Sequence, residues 1–350
     1  MAAGLVGLGL NRADWDPTVF AGFGEESLAI TEYAEDRLGD VRRRPSVGHD
    51  GRFFFVQAND PWVVDPANNG KILDRPVYRS QRMLYPLIAG GFGLFDANTI
   101  VWSLLLVNVA AMGLGTFVTS RLALQLGGSP WWGLAFVANF GLLFTLTNDD
   151  AGIVAAALAL WAVAKIHDGQ LQFAVALLAG AALTREVMLV CALGLAIWLW
   201  LTGRRKAAVY TLVVPTVVTG AWFLYVRAQL GPDDAATAEI GLPFVGLARA
   251  IPAWLDDSTV TAAGVAVVLV MVLFLVRWAG TRTALGWTFV GFIPLAALLT
   301  EQVWREIFDF TRAVAPLLTA AVLLVFVESK RRGVDGTPAG PAGLKRMASQ

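Results

Sequence analysis

From residue 97 onward the chain is a series of apolar runs separated by short polar breaks. A helix needs about 20 predominantly apolar residues to cross a bilayer, with a lower limit near 17. Runs of that kind cover roughly 98–120, 130–147, 150–166, 170–184, 186–202, 207–228, 258–276, 283–300 and 312–328, which predicts nine spans. The 170–202 stretch is too long for one ordinary span and is interrupted by Arg185 and Glu186. Two short helices, with the charged pair at the apex of a hairpin, cost less than burying that pair at mid-bilayer.

Short loops rich in Lys and Arg face the cytoplasm in most membrane proteins. With the hairpin, Arg121, Lys165, Arg204, Arg205, Lys206, Arg277, Arg282, Lys330, Arg331 and Arg332 all fall on one side. With one long helix the second half of the chain would invert. The expected arrangement therefore has a cytoplasmic C-terminus, a transmembrane bundle over 98–329, and a long first external loop over 11–97 that carries interfacial helices. Residues 1–10 are apolar but about half the length of a span. They read as the remnant of a first transmembrane helix, or as a short interfacial segment. An acidic loop over 231–257 contains a second interfacial helix near Gly241. Residues 330–350, rich in Gly, Pro, Ala and basic residues, read as a disordered cytoplasmic tail.

Composition supports this class. Of 350 residues, 56% are hydrophobic and 15% charged, against about 25% charged in soluble domains. Mean hydropathy is +0.60. The net charge of zero gives no basis for a nucleic-acid partner. Cys191 is the one cysteine, so neither an internal disulfide nor a thiolate metal cluster can form.

Under this topology the remaining charges gather at the outer helix ends. Asp50 lies in the run His49-Asp50-Gly51-Arg52-Phe53-Phe54-Phe55, beside a glycine that permits close approach. It is placed either for chemistry or to cap the helix that follows. Arg75, Arg79 and Arg82, at i, i+4 and i+7, would share one helical face. They would clamp a lipid phosphate or snorkel to headgroups. Asn148-Asp149-Asp150 reads as an N-cap; Asp149 and Asp150 are also weak candidates to hold a divalent cation. Arg185 is a phosphate-binding candidate, the alternative being a pair with Glu186. Glu301, Arg305, Asp309 and Arg312 alternate in sign along one helical face, with Arg312 pointing to the outer vestibule.

The His49–Phe55 run, the run Tyr78-Arg79-Ser80-Gln81-Arg82-Met83-Leu84-Tyr85-Pro86-Leu87, the Leu183-Thr184-Arg185-Glu186 turn and the late Arg312-Ala313-Val314-Ala315-Pro316-Leu317 together resemble bacterial members of the GT-C glycosyltransferase superfamily. The resemblance covers roughly residues 10–325. It implies an all-α polytopic membrane protein with a bundle of about nine to ten transmembrane helices. It also implies transfer of a sugar from a polyprenyl-phosphate-linked donor to a glycan, lipid or protein acceptor outside the cytoplasmic membrane. By position Asp50 would be the catalytic base, with His49 assisting or orienting it. Arg79, Arg82, Arg185, Arg305 and Arg312 would bind substrate. The lipid bilayer is the expected environment. Two other classes fit the composition: a transporter or flippase of a lipid-linked or anionic solute, and a non-catalytic accessory protein of envelope polysaccharide assembly.

Overall fold

The computed structural model describes residues 1–232 and 240–327. Among the described residues the regular structure is helical, apart from two two-residue parallel strands, Phe23–Gly24 and Arg43–Arg44, and one bridge between Ile240 and Leu299. The expected tail lies outside the described residues, as does most of the acidic part of the 231–257 loop. A helix runs over Val245–Asp256 in that stretch.

Local chemistry sets the longest helices. Asp96 caps Ala97–Gln125 by accepting from Thr99 N at 3.1 Å, satisfying a donor that would otherwise have no partner. Asp257 does the same for Ser258–Thr281 through Thr259 N and Val260 N. The helix Gly152–His167 is apolar on every side and most of it is buried, as expected of a central core helix. Its alanines let Ala97–Gln125 and Leu171–Thr184 pack closely against it. The N-terminal helix Ala2–Arg12 buries Ala2, Val6 and Leu10 in the same core.

The expectation of nine to ten full spans needs correction. Among the described residues three helices are long and apolar enough to cross a membrane: Ala97–Gln125, Arg205–Leu230 and Ser258–Thr281. A fourth is the pair Ile307–Ala313 and Ala315–Val327, if that pair, bent by 62°, counts as one span. The other apolar runs are cut into shorter helices. The 130–147 run breaks into pieces at Ala138–Asn139, where Asn139 caps Phe140–Leu146. The 283–300 run breaks at Gly291. Apolar content alone therefore overcounts, because it does not register where caps and packing interrupt a helix. The bend before Ala315 has a covalent cause: Pro316 lacks an N–H and its ring clashes with the carbonyl of residue 312.

The 170–202 stretch is not one helix. Leu171–Thr184 ends at Arg185, whose backbone is extended (φ −149°, ψ 119°), and a short turn leads into Leu189–Leu201. Gly194 lies against the Trp287 backbone and Gly291 against Val190. Leu189–Leu201 therefore runs antiparallel to the 284–298 segment. At one end of the bundle Arg121 and Gln125 bond Asp168. At the other, residues 50, 79, 150 and 312 meet.

Arg205–Leu230 and Ser258–Thr281 turn most of their apolar surface outward; only 17% of each apolar window is buried. Exposed Val213, Val217, Leu224, Leu269, Val272 and Val276 lie on these two helices. A contiguous apolar surface of this kind suits lipid contact far better than water.

Candidate functional site

Asp50 directly precedes the helix Gly51–Asn59, but its side chain caps nothing. Its carboxylate is instead held between two arginines from distant parts of the chain. Arg79 Nη1 donates to Oδ1 at 3.1 Å and Arg312 Nη1 to Oδ2 at 2.8 Å. Both side chains are largely buried, so these charge-assisted bonds are among the strong ones. Gly51 makes the placement possible. A Cβ there would stand 2.6 Å from the Asn148 carbonyl and 2.8 Å from that of Ala21.

Each arginine has further partners. Arg79 pairs with Asp74 and stacks on Phe53, 3.7 Å from the ring centroid. Arg312 also pairs with Asp150 and Asp309, each at 3.1 Å. Arg82 makes a two-pronged pair with Glu186, Nε to Oε2 at 3.1 Å and Nη2 to Oε1 at 3.0 Å. This pair ties the segment that follows Pro76–Ser80 to the turn at Arg185.

The expected single face of Arg75, Arg79 and Arg82 is not present. The helix covers only Pro76–Ser80, because Pro76 starts it and the chain turns again at Gln81. The three guanidiniums share the Tyr78 ring instead, at 4.5, 5.6 and 4.7 Å from its centroid. The face expected over 301–312 is likewise broken at Glu306. Arg305 is exposed on the first fragment, while Arg312 enters the cluster from the second.

Among the described residues Arg185 and Arg52, near this cluster, form no ion pair. Arg185 Nε is buried without a hydrogen-bond partner, as are Nε and Nη1 of Arg52. Arg185 comes within 3.3 Å of where a Cβ on Gly152 would sit. Arg52, stacked on Phe53 at 4.4 Å, is a member of the group that its sequence position did not single out. The only available signal was its place two residues after Asp50.

The electrostatics follow from this geometry. Burial alone would raise the Asp50 pKa. The guanidiniums of Arg312 and Arg79, helped by Arg82 and Arg185, outweigh it and hold the carboxyl below its ordinary range. Glu186 is similar: Arg82 overcomes burial and brings it to about 2. His49 moves to about 4, through burial and then the charge of Arg44. Its ring packs edge-on to Phe144 at 5.8 Å.

The Asn148–Asp150 segment does not cap the next helix, whose N-cap is Ala151. Asp150 serves Arg312. Asp149, at φ 46°, is fully buried and neither of its oxygens meets a donor. Burial pushes its carboxyl well above the ordinary range. Asn108 lies beside it, and the Asn108 Oδ1 also lacks a partner. Arg44, which bonds Asn148 Oδ1 at 3.0 Å, fixes this segment from the small sheet.

This arrangement does not fit a divalent cation. Asp149 is buried where the charged form is disfavoured, Asp150 faces a guanidinium, and both Asp50 oxygens are engaged. Among the described residues no three His, Cys, Asp or Glu side chains come together. Comparison with family models, curated proteins and solved structures gives no match.

Proposed function

We propose that this chain is a membrane glycosyltransferase that moves a sugar from a polyprenyl-phosphate carrier to an acceptor outside the cytoplasmic membrane. The observation that carries the reading is a carboxylate gripped by two guanidiniums, Arg79 and Arg312, beside two more arginines, buried Arg52 and half-buried Arg185, whose Nε atoms are buried without a hydrogen-bond partner. A buried cation without a partner, as at Arg52, costs on the order of several kcal/mol, and an anionic ligand relieves that cost. The exposed apolar helices support a donor that arrives through lipid.

In this reaction the acceptor oxygen attacks the anomeric carbon. The bond from that carbon to the phosphate oxygen breaks, and the phosphate leaves with the electron pair. The acceptor proton passes to Asp50. With both oxygens on guanidiniums, Asp50 is a weak base in the free protein. A phosphate that draws Arg79 or Arg312 away frees an oxygen and raises its basicity toward the useful range. The base is thus switched on by the donor.

Asp50→Asn and Arg185→Ala test the reading with labelled polyprenyl-phosphate sugar in vesicles. Asp50→Asn should cut turnover by about 10²–10⁴-fold. Arg185→Ala should act mainly on donor KM, since one charge-assisted bond is worth roughly 1.5–3 kcal/mol. Near-normal turnover in Asp50→Asn would move the base to another carboxylate; no transfer by the unaltered protein would favour the second reading, a non-catalytic accessory protein. The saturation of both Asp50 oxygens speaks for that alternative.

A further inference from the structure

At the far end of the helix that begins after Asp50 lies a second concavity, of about 490 Å³. That is within the usual range for a small-molecule site. Three aromatic rings line it, Tyr33, Trp62 and Phe95. Trp62 and Phe95 are 48% and 52% exposed, so much of each ring remains open, although Trp62 also meets Trp222 edge-to-face at 6.0 Å. Between them stand Asn59, Asn68, Asp65 and Arg37.

The polar groups divide into two sets. Asp60 and Asn69 are consumed by the fold. Asp60 accepts from Val64 N, Asp65 N and Asn69 Nδ2. The others retain unused capacity. The Asn68 amide makes no bond of its own, and Asn59 uses only Nδ2, to Phe55 O. Asp65 accepts at Oδ1 from Asn68 N, leaving Oδ2. Arg37 stacks on Tyr33 at 3.6 Å and donates one N–H to the Tyr33 carbonyl, leaving four of its five donors.

The backbone adds a second observation. Val63, Leu94 and Phe95 all have positive φ, at 54°, 51° and 56°. A β-branched residue in that region is a genuine outlier, and such strain gathers at ligand clamps, where the surroundings over-determine it. Here Asp60, through its bonds to Val64 N and Asp65 N, is what holds the loop. Both strained segments present a lining ring.

We propose that this concavity binds a saccharide. Amides and a carboxylate with free lone pairs and N–H groups match vicinal hydroxyls, and open ring faces match the C–H face of a pyranose. A phosphate would want more than the single stacked arginine. An acyl chain would leave the amides unpaired, at the cost of burying them without partners. The helix from Gly51 to Asn59 has 9 residues and so sets the site about 14 Å from Asp50. A short oligosaccharide spans that distance and a monosaccharide does not. The role as the subsite for a non-reacting part of a glycan acceptor rests on the transferase reading; the binding itself does not.

The test is binding of maltotriose, mannotriose and xylotriose to the full-length protein in detergent, by saturation-transfer NMR and calorimetry. At least one should bind saturably with a Kd near the millimolar scale or tighter. Asn68→Ala should weaken it about tenfold or more, roughly 1.4 kcal/mol, with an unchanged melting midpoint, because that amide holds nothing in the fold. Trp62→Ala should also lose it, and Arg185→Ala should not. No saturable binding at about 10 mM, tenfold above a millimolar Kd, or binding that persists in Asn68→Ala, overturns the site. Binding that is lost in Asn68→Ala in a protein without transfer activity keeps the site and removes the transferase reading. Transfer without triose binding does the reverse.

Discussion

At the residue scale His49 is the group whose titration can be isolated. Its pKa in the folded protein is about 4, against about 6.5 in an unfolded chain. Between those values the unfolded state holds the extra proton, so stability falls as pH drops from about 6.5 to about 4. Asp50 and Glu186 work at lower pH. Their folded pKa values are depressed, so what they contribute is present above the ordinary carboxylate range and lost as pH falls through their folded values, about 2 for Glu186. Asp149, pushed well above the ordinary carboxylate range by burial, acts in the opposite sense over the same window, so His49 is read by difference: between pH 7 and pH 4.5 the thermal midpoint of His49→Phe, which keeps a ring against Phe144, should fall less or rise more than that of the unaltered protein. Identical slopes would mean that His49 does not carry this contribution. In the same pH window neither Asp50 nor His49 changes charge in the free protein. Any acid limb in kcat/KM above pH 5 must then come from substrate or from another residue.

At the element scale the Arg82–Glu186 pair links the segment after Pro76–Ser80 to the break between Leu171–Thr184 and Leu189–Leu201. Removing either partner leaves the other largely buried and alone, which typically costs about 3–5 kcal/mol. Arg82→Ala and Glu186→Ala should each destabilise strongly. The double variant should lose far less than their sum, with a coupling of about 0.5–3 kcal/mol by denaturant titration; additive losses would mean the pair does not form. Sequence reasoning placed the break at Arg185 correctly, since a charged pair in an apolar run is a local signal. It missed that Glu186 belongs to Arg82, 104 positions away. It also took Asp50 and Asn148–Asp150 as possible caps. Ion pairs between distant segments leave no periodic trace, whereas Asp96 and Asp257 are caps with one. The three arginines at 75, 79 and 82 had the right spacing for a helical face, but Pro76 shortened the helix that would have shown it.

At the scale of the whole molecule, the charged cluster sits at one end of the bundle. Arg121, Lys165 and Asp168 lie at the other. The proposed orientation puts the cluster outside. Reporter fusions at residues 60 and 340 should then report opposite sides of the membrane, and the same side for both would remove that orientation. The span count was the least legible property, because short buried helices and lipid-facing ones are equally apolar. The 17% burial of Arg205–Leu230 and Ser258–Thr281 separates them from Gly152–His167, and only tertiary packing reveals that difference.

Asp50 and Arg312 are separated by 262 positions. A ribosome adding about 5–20 residues per second delivers Arg312 roughly 15–50 s after Asp50. For that interval the nascent chain carries a carboxylate with Arg79 as its one available direct partner, and Asp150 waits for the same guanidinium. The final bent helix thus closes the site as well as the bundle. A chain that stops short of residue 312 would hold most of the apolar core and leave Asp50 and Asp150 without their shared guanidinium, so the cluster is completed only by the last segment to be made.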